Sequence, residues 1–343
     1  MRILVTGHKG YIGAVMVPML LGAGHEVVGL DSDLFEGCTL TGDECKVPEL
    51  RLDLRDIKRR HLEGFDAVVH LAALSNDPLS NLNPEVTYDI NHFGSVRLAE
   101  LAREAGVSRF LFSSSCSVYG KVDDELVSET ADFDPITPYT ISKVRVEQDV
   151  TKLADDNFSP TFLRNATAYG VSPRFNVELV LNNLVAWAYT MGSVYIKSDG
   201  SGWRPTVHVE DIARAFLAVL SAPRETVHNQ ALNVGQTEEN YRIRDLAEIV
   251  RQVVPKAHIQ YAENAASTTR SYRVDFGKIH RLLPGLKEEW DVRKGAEQLY
   301  AAYRAAHLDK GDCESARFNR LARLKQLLAL GRIDPSLRWV VSS

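Results

Sequence analysis

The sequence predicts an α/β protein built on a doubly wound parallel sheet, with a smaller, mixed C-terminal domain. Three observations predict it. Over the first third of the chain, short apolar runs alternate with longer amphipathic stretches, as a parallel sheet with crossover helices requires. The opening apolar run passes into a glycine-rich turn, Thr6-Gly-His-Lys-Gly-Tyr-Ile-Gly13, and then into an apolar helix. Beyond about residue 170 the regular rhythm loosens.

Taken in order, residues 3–5 read as the first buried strand and 11–23 as a helix closed by Gly22-Ala-Gly24. Residues 27–30 form the second strand, ending at Asp31, and 67–70 another, followed by Leu71-Ala-Ala-Leu74. A long helix over 91–105 stops at Gly106, and a strand at 110–112 runs into Ser113-Ser-Ser-Cys-Ser-Val-Tyr-Gly120. Pro135 and Pro138 mark the start of a helix over 139–152, and 161–163 give one more strand. Then come a helix over 177–191, a strand at 194–197, a helix starting near Glu210-Asp211, a strand at 231–234 ending at Gly235, and an amphipathic helix over 243–253. The expected parts are a dinucleotide-binding domain over 1–175 to which 207–235 return, a substrate-binding domain from 176–206 and 236–300, and a helical extension over 301–343. In the tail, Phe318, Leu321, Leu324 and Leu328 share one helical face, with Arg317, Arg320 and Arg323 elsewhere. That pattern describes a helix packed on its own protein rather than on a partner or a membrane surface.

Composition narrows the function classes. At 343 residues, with 45% apolar and 25% charged residues, the chain can bury a large core. A net charge of −5 argues against a surface made for nucleic acid, and no apolar run approaches bilayer length. The N-terminus reads as a strand starting at Arg2 rather than as a signal peptide. Cys38, Cys45, Cys116 and Cys313 are scattered without metal-ligand spacing, so a cytoplasmic, metal-free protein is the expectation.

In the glycine-rich turn, Gly7 makes the bend, Gly10 allows a diphosphate to approach the backbone, and Gly13 lets the helix pack on the strand. This is a Rossmann-type arrangement, although the spacing is GxxGxxG. Asp31 stands at the end of the second strand, 18 residues after Gly13. A carboxylate there accepts both adenosine ribose hydroxyls and repels a 2′-phosphate, which favours NAD over NADP. Lys9 points the other way, since a cation in the loop could serve a phosphate. Asp53 is placed to meet an adenine amino group, and it also reads as an exposed turn aspartate.

Tyr139-Thr-Ile-Ser-Lys143 supplies the chemistry. A phenol titrates near ~10 and is a poor base at neutral pH. A lysine one helical turn later can lower that value by placing a cation beside the phenolate. A hydroxyl from the serines after strand 110–112 can steady a substrate alcohol.

With these motifs together, the chain resembles the extended short-chain dehydrogenase/reductases, specifically the NAD-dependent nucleotide-sugar epimerase/dehydratase family. The resemblance spans roughly residues 1–300 and rests on the glycine loop, His70-Leu-Ala-Ala73, the serine cluster, Pro138-Tyr-Thr-Ile-Ser-Lys143, Leu163-Arg-Asn165 and Arg204-Pro-Thr-Val-His-Val-Glu-Asp211. It implies Ser115, Tyr139 and Lys143 as catalytic residues. It implies Tyr11, Ile12, Leu54, Leu71, Ala72 and Ala73 as further cofactor neighbours, and Ser75, Ser117, Asn165, Asn182, Arg204 and Arg270 on the substrate side. Family dehydratases carry Asp and Glu after the catalytic hydroxyl residue, and the related decarboxylases carry Glu at the second of those positions. Here they are Cys116 and Ser117. The implied reaction is therefore 4-epimerisation of a nucleoside-diphosphate hexose or hexuronate. The alternatives are a 5,6-type dehydratase or a 3- or 5-epimerase using Cys116 as acid/base, and a catalytically silent NAD-binding regulator. A homodimer paired through helices 91–105 and 139–152 is also implied.

Overall fold

The structure is a computed structural model that describes residues 1–40, 45–263 and 271–340. Its centre is a seven-stranded sheet in the order Gln230–Val234, Ser159–Asn165, Arg109–Ser115, Ala67–His70, Arg2–Thr6, Glu26–Asp31, Glu49–Arg51. Every pairing in it is parallel. Chain order runs outward in both directions from Arg2–Thr6, so the sheet is doubly wound and Rossmann-like, with its switch point between that strand and Ala67–His70. Ligands of such sheets sit outside the carboxyl ends of the strands at the switch point.

Both faces are covered, which explains why the strands read as continuous apolar runs. Ile3 and Val5 pack with Met16, Leu20 and Phe216 on one side. Leu4 packs on the other with Val68, Leu98, Phe110 and Val146. Each such fully buried side chain stabilises the fold by about 1.5–3 kcal/mol. Register aligns the strand ends: Thr6 sits opposite both Leu30 and His70, and Ser115 sits opposite Asn165. Gly7, Asp31, Leu71, Ser115 and Asn165 therefore emerge along one edge.

The smaller region carries a three-stranded sheet of Thr167–Tyr169, Trp203–His208 and Asn240–Arg242. Two further strand pairs join Ser193–Ile196 to His258–Tyr261 and Lys121–Val127 to Ser271–Val274. Helices Val180–Met191, Ile243–Val253 and Val292–Ala305 enclose a second core around Tyr169, Phe175, Leu184, Leu246 and Leu299. The last of these helices runs across position 300, where the extension was expected to begin. Among the described residues no helix is long and apolar enough to cross a membrane.

Two elements differ from expectation. The helix expected over 91–105 is preceded by a short helix, Pro84–Tyr88, and enters through a π-turn at Asp89–Phe93 before Gly94–Glu104. The wider turn aims Asn91 at the loop after Ala67–His70, where its amide accepts from Leu74 N at 2.8 Å and donates to Leu74 O at 3.0 Å. In the tail, helix Arg320–Ala329 buries Leu324 and Leu327 with Ile333 and Leu337 against Leu34, Leu74 and Leu79. Arg320, expected away from the apolar face, is buried with them at 4% exposure.

Candidate active site

The carboxyl ends of the central strands open into a cavity of about 460 Å³, the size range of small-molecule sites. Its floor is the glycine loop. Gly7 holds φ at 72°, and a Cβ there would stand 2.7 Å from Ala72 N. A Cβ on Gly13 would stand 2.3 Å from Gly7 O, so the helix packs on the strand only through glycine. A Cβ on Gly10 would touch little except Gly7 O, at 3.0 Å, and would otherwise intrude into the cavity. Tyr11 and Ile12 line the cavity too, and helix Gly13–Gly22 has no acidic residue in its first turn to compete with an anion. The Tyr11 hydroxyl is tied down, donating to Gly170 O at 2.7 Å.

Asp31 accepts from Lys9 N at 3.0 Å and Asp33 N at 2.9 Å; burial pushes its carboxyl up and those backbone bonds oppose the shift. The Lys9 ammonium reaches Asp33 at 2.9 Å and Glu49 at 2.8 Å. It is committed to carboxylates, which removes the sign that favoured a 2′-phosphate. Asp53 and Leu54 are in the wall, and Asp53 is both cap and ion-pair partner, accepting from Arg55 N at 2.9 Å and Arg55 Nη2 at 2.7 Å. Leu71, Ala72, Ala73 and Ser75 form the opposite lip.

Ser115, Tyr139 and Lys143 share one wall of this cavity. Thr137 caps helix Pro138–Val150, which sets Tyr139 in its first turn and Lys143 one turn later on the same face. Lys143 Nζ donates to Ser113 O at 2.6 Å and lies 4.4 Å from the Phe112 ring centre and 5.6 Å from that of Tyr139. Burial lowers its pKa to about 7, and Glu147 one turn on opposes the shift. Glu147 is itself paired with Arg164 at 2.7 Å and accepts from Ser114 Oγ, which anchors the helix to the strands that carry the serines. Ser115 shares a 2.8 Å hydrogen bond with Ser117 Oγ, and both face the cavity.

Asn165 lies in the wall; its Nδ2 donates to Ser113 Oγ at 3.0 Å, while its buried Oδ1 has no partner among the described residues. An orphan acceptor at this point suits a ligand hydroxyl. Arg204 also lines the cavity, and Arg270 lies outside the described residues.

Two expected site residues face elsewhere. Asn182 is fully buried outside the wall, and its amide is consumed by Gly170 N at 3.0 Å and Asn176 O at 3.1 Å. Cys116 has no exposed surface and packs in the main core, its Sγ on Arg164 O at 3.0 Å. Burial pushes its thiol well above the ordinary value. The chain leaves strand geometry at Ser115 and enters a 3₁₀ turn at Cys116–Tyr119, which rotates residue 116 away from the cavity. A thiol so placed is no acid or base for a ligand. The motifs also missed wall residues: Asn176, Glu178, Tyr272, Arg320 and Leu337. Glu178 is a half-buried carboxyl whose pKa is raised by desolvation.

The NAD dependent epimerase/dehydratase family profile matches residues 3–235. The chain belongs to this family. It is 33% identical over 281 residues to a UDP-glucose 4-epimerase of Neisseria meningitidis serogroup B, covering 73% of this chain and 80% of the relative. Among solved structures it is similar to MoeE5 in complex with UDP-glucuronic acid and NAD, at 26% identity and TM-score 0.78 over 89% of this chain and 100% of that one. It is also similar to the Thermus thermophilus UDP-glucose 4-epimerase in complex with NAD, at 26% identity and TM-score 0.74 over 89% and 100%. The protein is thus an NAD-dependent enzyme, and the glycine loop, Asp31 and the orphan polar atoms of the cavity fit that cofactor.

Proposed function

We propose that this enzyme is a nucleotide-sugar 4-epimerase that works through a transient 4-keto sugar. The observation that carries the reading is one cavity wall with Ser115, Tyr139 and Lys143 beside the glycine loop, while the thiol of Cys116 is turned into the core. Tyr139, held in phenolate-like form by Lys143, takes the C4 hydroxyl proton, and Ser115 hydrogen-bonds the same oxygen. Bound NAD would supply the hydride acceptor for C4 and, once reduced, the donor for the opposite face of the ketone, so that no net redox change would result. Tyr139 then gives its proton back. Positions 116 and 117 add no second acid/base pair, which is what dehydration would need.

For the substrate, Arg204, whose Nη1 donates to Trp203 O at 2.7 Å, places a positive charge in the wall for a diphosphate, and Asn165 an acceptor for a sugar or nucleotide hydroxyl. Ser75 and Ser117 supply small polar contacts. A nucleoside-diphosphate hexose or hexuronate is the class that fits, and the names of the relatives support it. We further propose a homodimer built on the outer faces of helices Gly94–Glu104 and Pro138–Val150.

Proton NMR in D₂O with NAD and a panel of nucleotide sugars tests the reaction. C4 inversion without deuterium uptake is expected, because the hydride never leaves the site. A second reading, dehydration or 3- or 5-epimerisation, rests on Glu178, the half-buried carboxyl in the wall. Deuterium at C3, C5 or C6 would establish that reading and sink the first.

A further inference from the structure

The tail after Ala305 is fastened across the mouth of the cofactor cavity. Trp339 Nε1 donates to Ser32 O at 2.6 Å, Arg55 Nη2 donates to Ser336 O at 2.9 Å, and Leu324 and Leu337 seal against Leu34 and Leu74. These contacts fall on the two segments that flank the expected adenosine site, after strand Glu26–Asp31 and around Asp53.

At the inner end of this cover stands Arg320, the first residue of helix Arg320–Ala329. Its backbone N–H donates to Glu178 Oε2 at 3.0 Å, and its guanidinium lies 4.3 Å over the Phe35 ring. Nη2 donates to Arg174 O at 3.1 Å and Phe175 O at 3.3 Å. Nη1 has no partner among the described residues, although the residue is only 4% exposed and lines the same cavity as Gly10 and Asp31. Burial lowers the guanidinium to about 10, so it keeps its charge at neutral pH. A desolvated cation with an open donor is costly unless an anion completes it.

We propose that Arg320 is a cofactor ligand supplied by the C-terminal tail: Nη1 hydrogen-bonds the diphosphate of bound NAD, and residues 307–340 enclose the dinucleotide so that it stays bound through many turnovers. This rests on NAD occupying the cavity. The sugar nucleotide also carries a diphosphate, and the position of Arg320 over Phe35, on the side of Asp31, favours the cofactor's. Retention serves the proposed chemistry, since an epimerase must return its own hydride.

The test compares wild type with Arg320→Met, Arg320→Lys and Trp339→Ala, each checked for native circular dichroism. NAD(H) released on denaturation gives occupancy, and exchange of bound NAD for isotopically labelled NAD gives the off-rate. Wild type is expected to exchange slowly. Arg320→Met should exchange on the order of 10-fold faster or more, the worth of one charge-assisted hydrogen bond. Arg320→Lys should recover part of the retention by keeping the charge. Trp339→Ala should also exchange faster, because it loosens the tail without touching the guanidinium. Calorimetric affinity for UDP should stay within about 2-fold. Equal exchange in wild type and Arg320→Met overturns the proposal and leaves the cofactor reading intact, as does a loss confined to UDP. A wild type that neither retains nor binds NAD overturns both.

Discussion

Lys143 is a buried cation that donates to a neutral carbonyl, Ser113 O, at 2.6 Å. On the proposed mechanism Lys143, lowered by burial to about 7, and the Tyr139 phenol beside it act as a pair that gives up one proton. The proton-deficient pair accepts the C4 proton, so kcat/KM should rise on its acid limb through about pH 7. In Lys143→Met the phenol titrates alone, the limb should move toward ~10, and activity at neutral pH should fall on the order of 100-fold or more. A pH profile of both proteins checks this; a limb that stays near neutrality in the variant refutes the pairing. Stability follows with a defined sign. The folded value is lowered to about 7 from 10.5, so between these values the unfolded state binds more protons and stability rises with pH. Below 7 both states are protonated and the buried charge imposes its full cost. Lys143→Met should therefore stabilise the cofactor-free protein more at pH 6 than at pH 10 in urea melts. Cys116 behaves oppositely: with its thiol in the core, Cys116→Ser should keep kcat within about 3-fold, and the native thiol should resist an aromatic disulfide reagent until unfolding.

At the scale of elements, the first half of the chain was readable because each strand end carries its own local signal. Gly7, Asp31, the serine cluster and Asn165 are all brought to one edge by parallel register, and register follows from runs buried on both faces. What local pattern did not carry was orientation fixed by distant partners. Cys116 was assigned by its place in the family motif, one position after Ser115, but the strand ends at Ser115 and the 3₁₀ turn that follows turns residue 116 inward. Arg320 was assigned by helical periodicity, but its acceptors lie about 145 residues away, at Arg174 and Phe175. Asn182 was placed on the substrate side, yet it braces Gly170. The π-turn at Asp89–Phe93 belongs to this class, because a 3.6-residue pattern has no means of announcing the wider turn that delivers Asn91 to Leu74. Asn91→Ala leaves both Leu74 backbone groups without their side-chain partner in a buried setting. It should cost about 1–3 kcal/mol in chemical denaturation. It should also weaken NAD binding, since the Leu71–Leu74 segment lines the cavity.

For the whole molecule, the helix that carries Tyr139 and Lys143 also supplies an outer face. Pro138–Val150 turns Lys143 and Glu147 inward and leaves Arg145 and Gln148 exposed. Alongside, Phe93 stands at 60% exposure at the entry to Gly94–Glu104, with Arg97 and Glu100 exposed on the same helix. An exposed aromatic rimmed by charges and polar groups is the composition of an interface centre. A stable dimer needs roughly 800 Å² per partner, a span that two such adjacent helices can supply. Light scattering should give twice the chain mass for wild type, and Phe93→Glu should give the single-chain mass. Phe93 lies outside the cavity wall, so bound NAD should persist in that variant. A monomeric wild type, or a Phe93→Glu dimer as tight as wild type, would remove this face from the assembly. If the variant became monomeric and turned over more slowly while keeping its NAD, the interface would be shown to brace the catalytic helix, because Tyr139 and Lys143 are held on the inner face of the same rigid element.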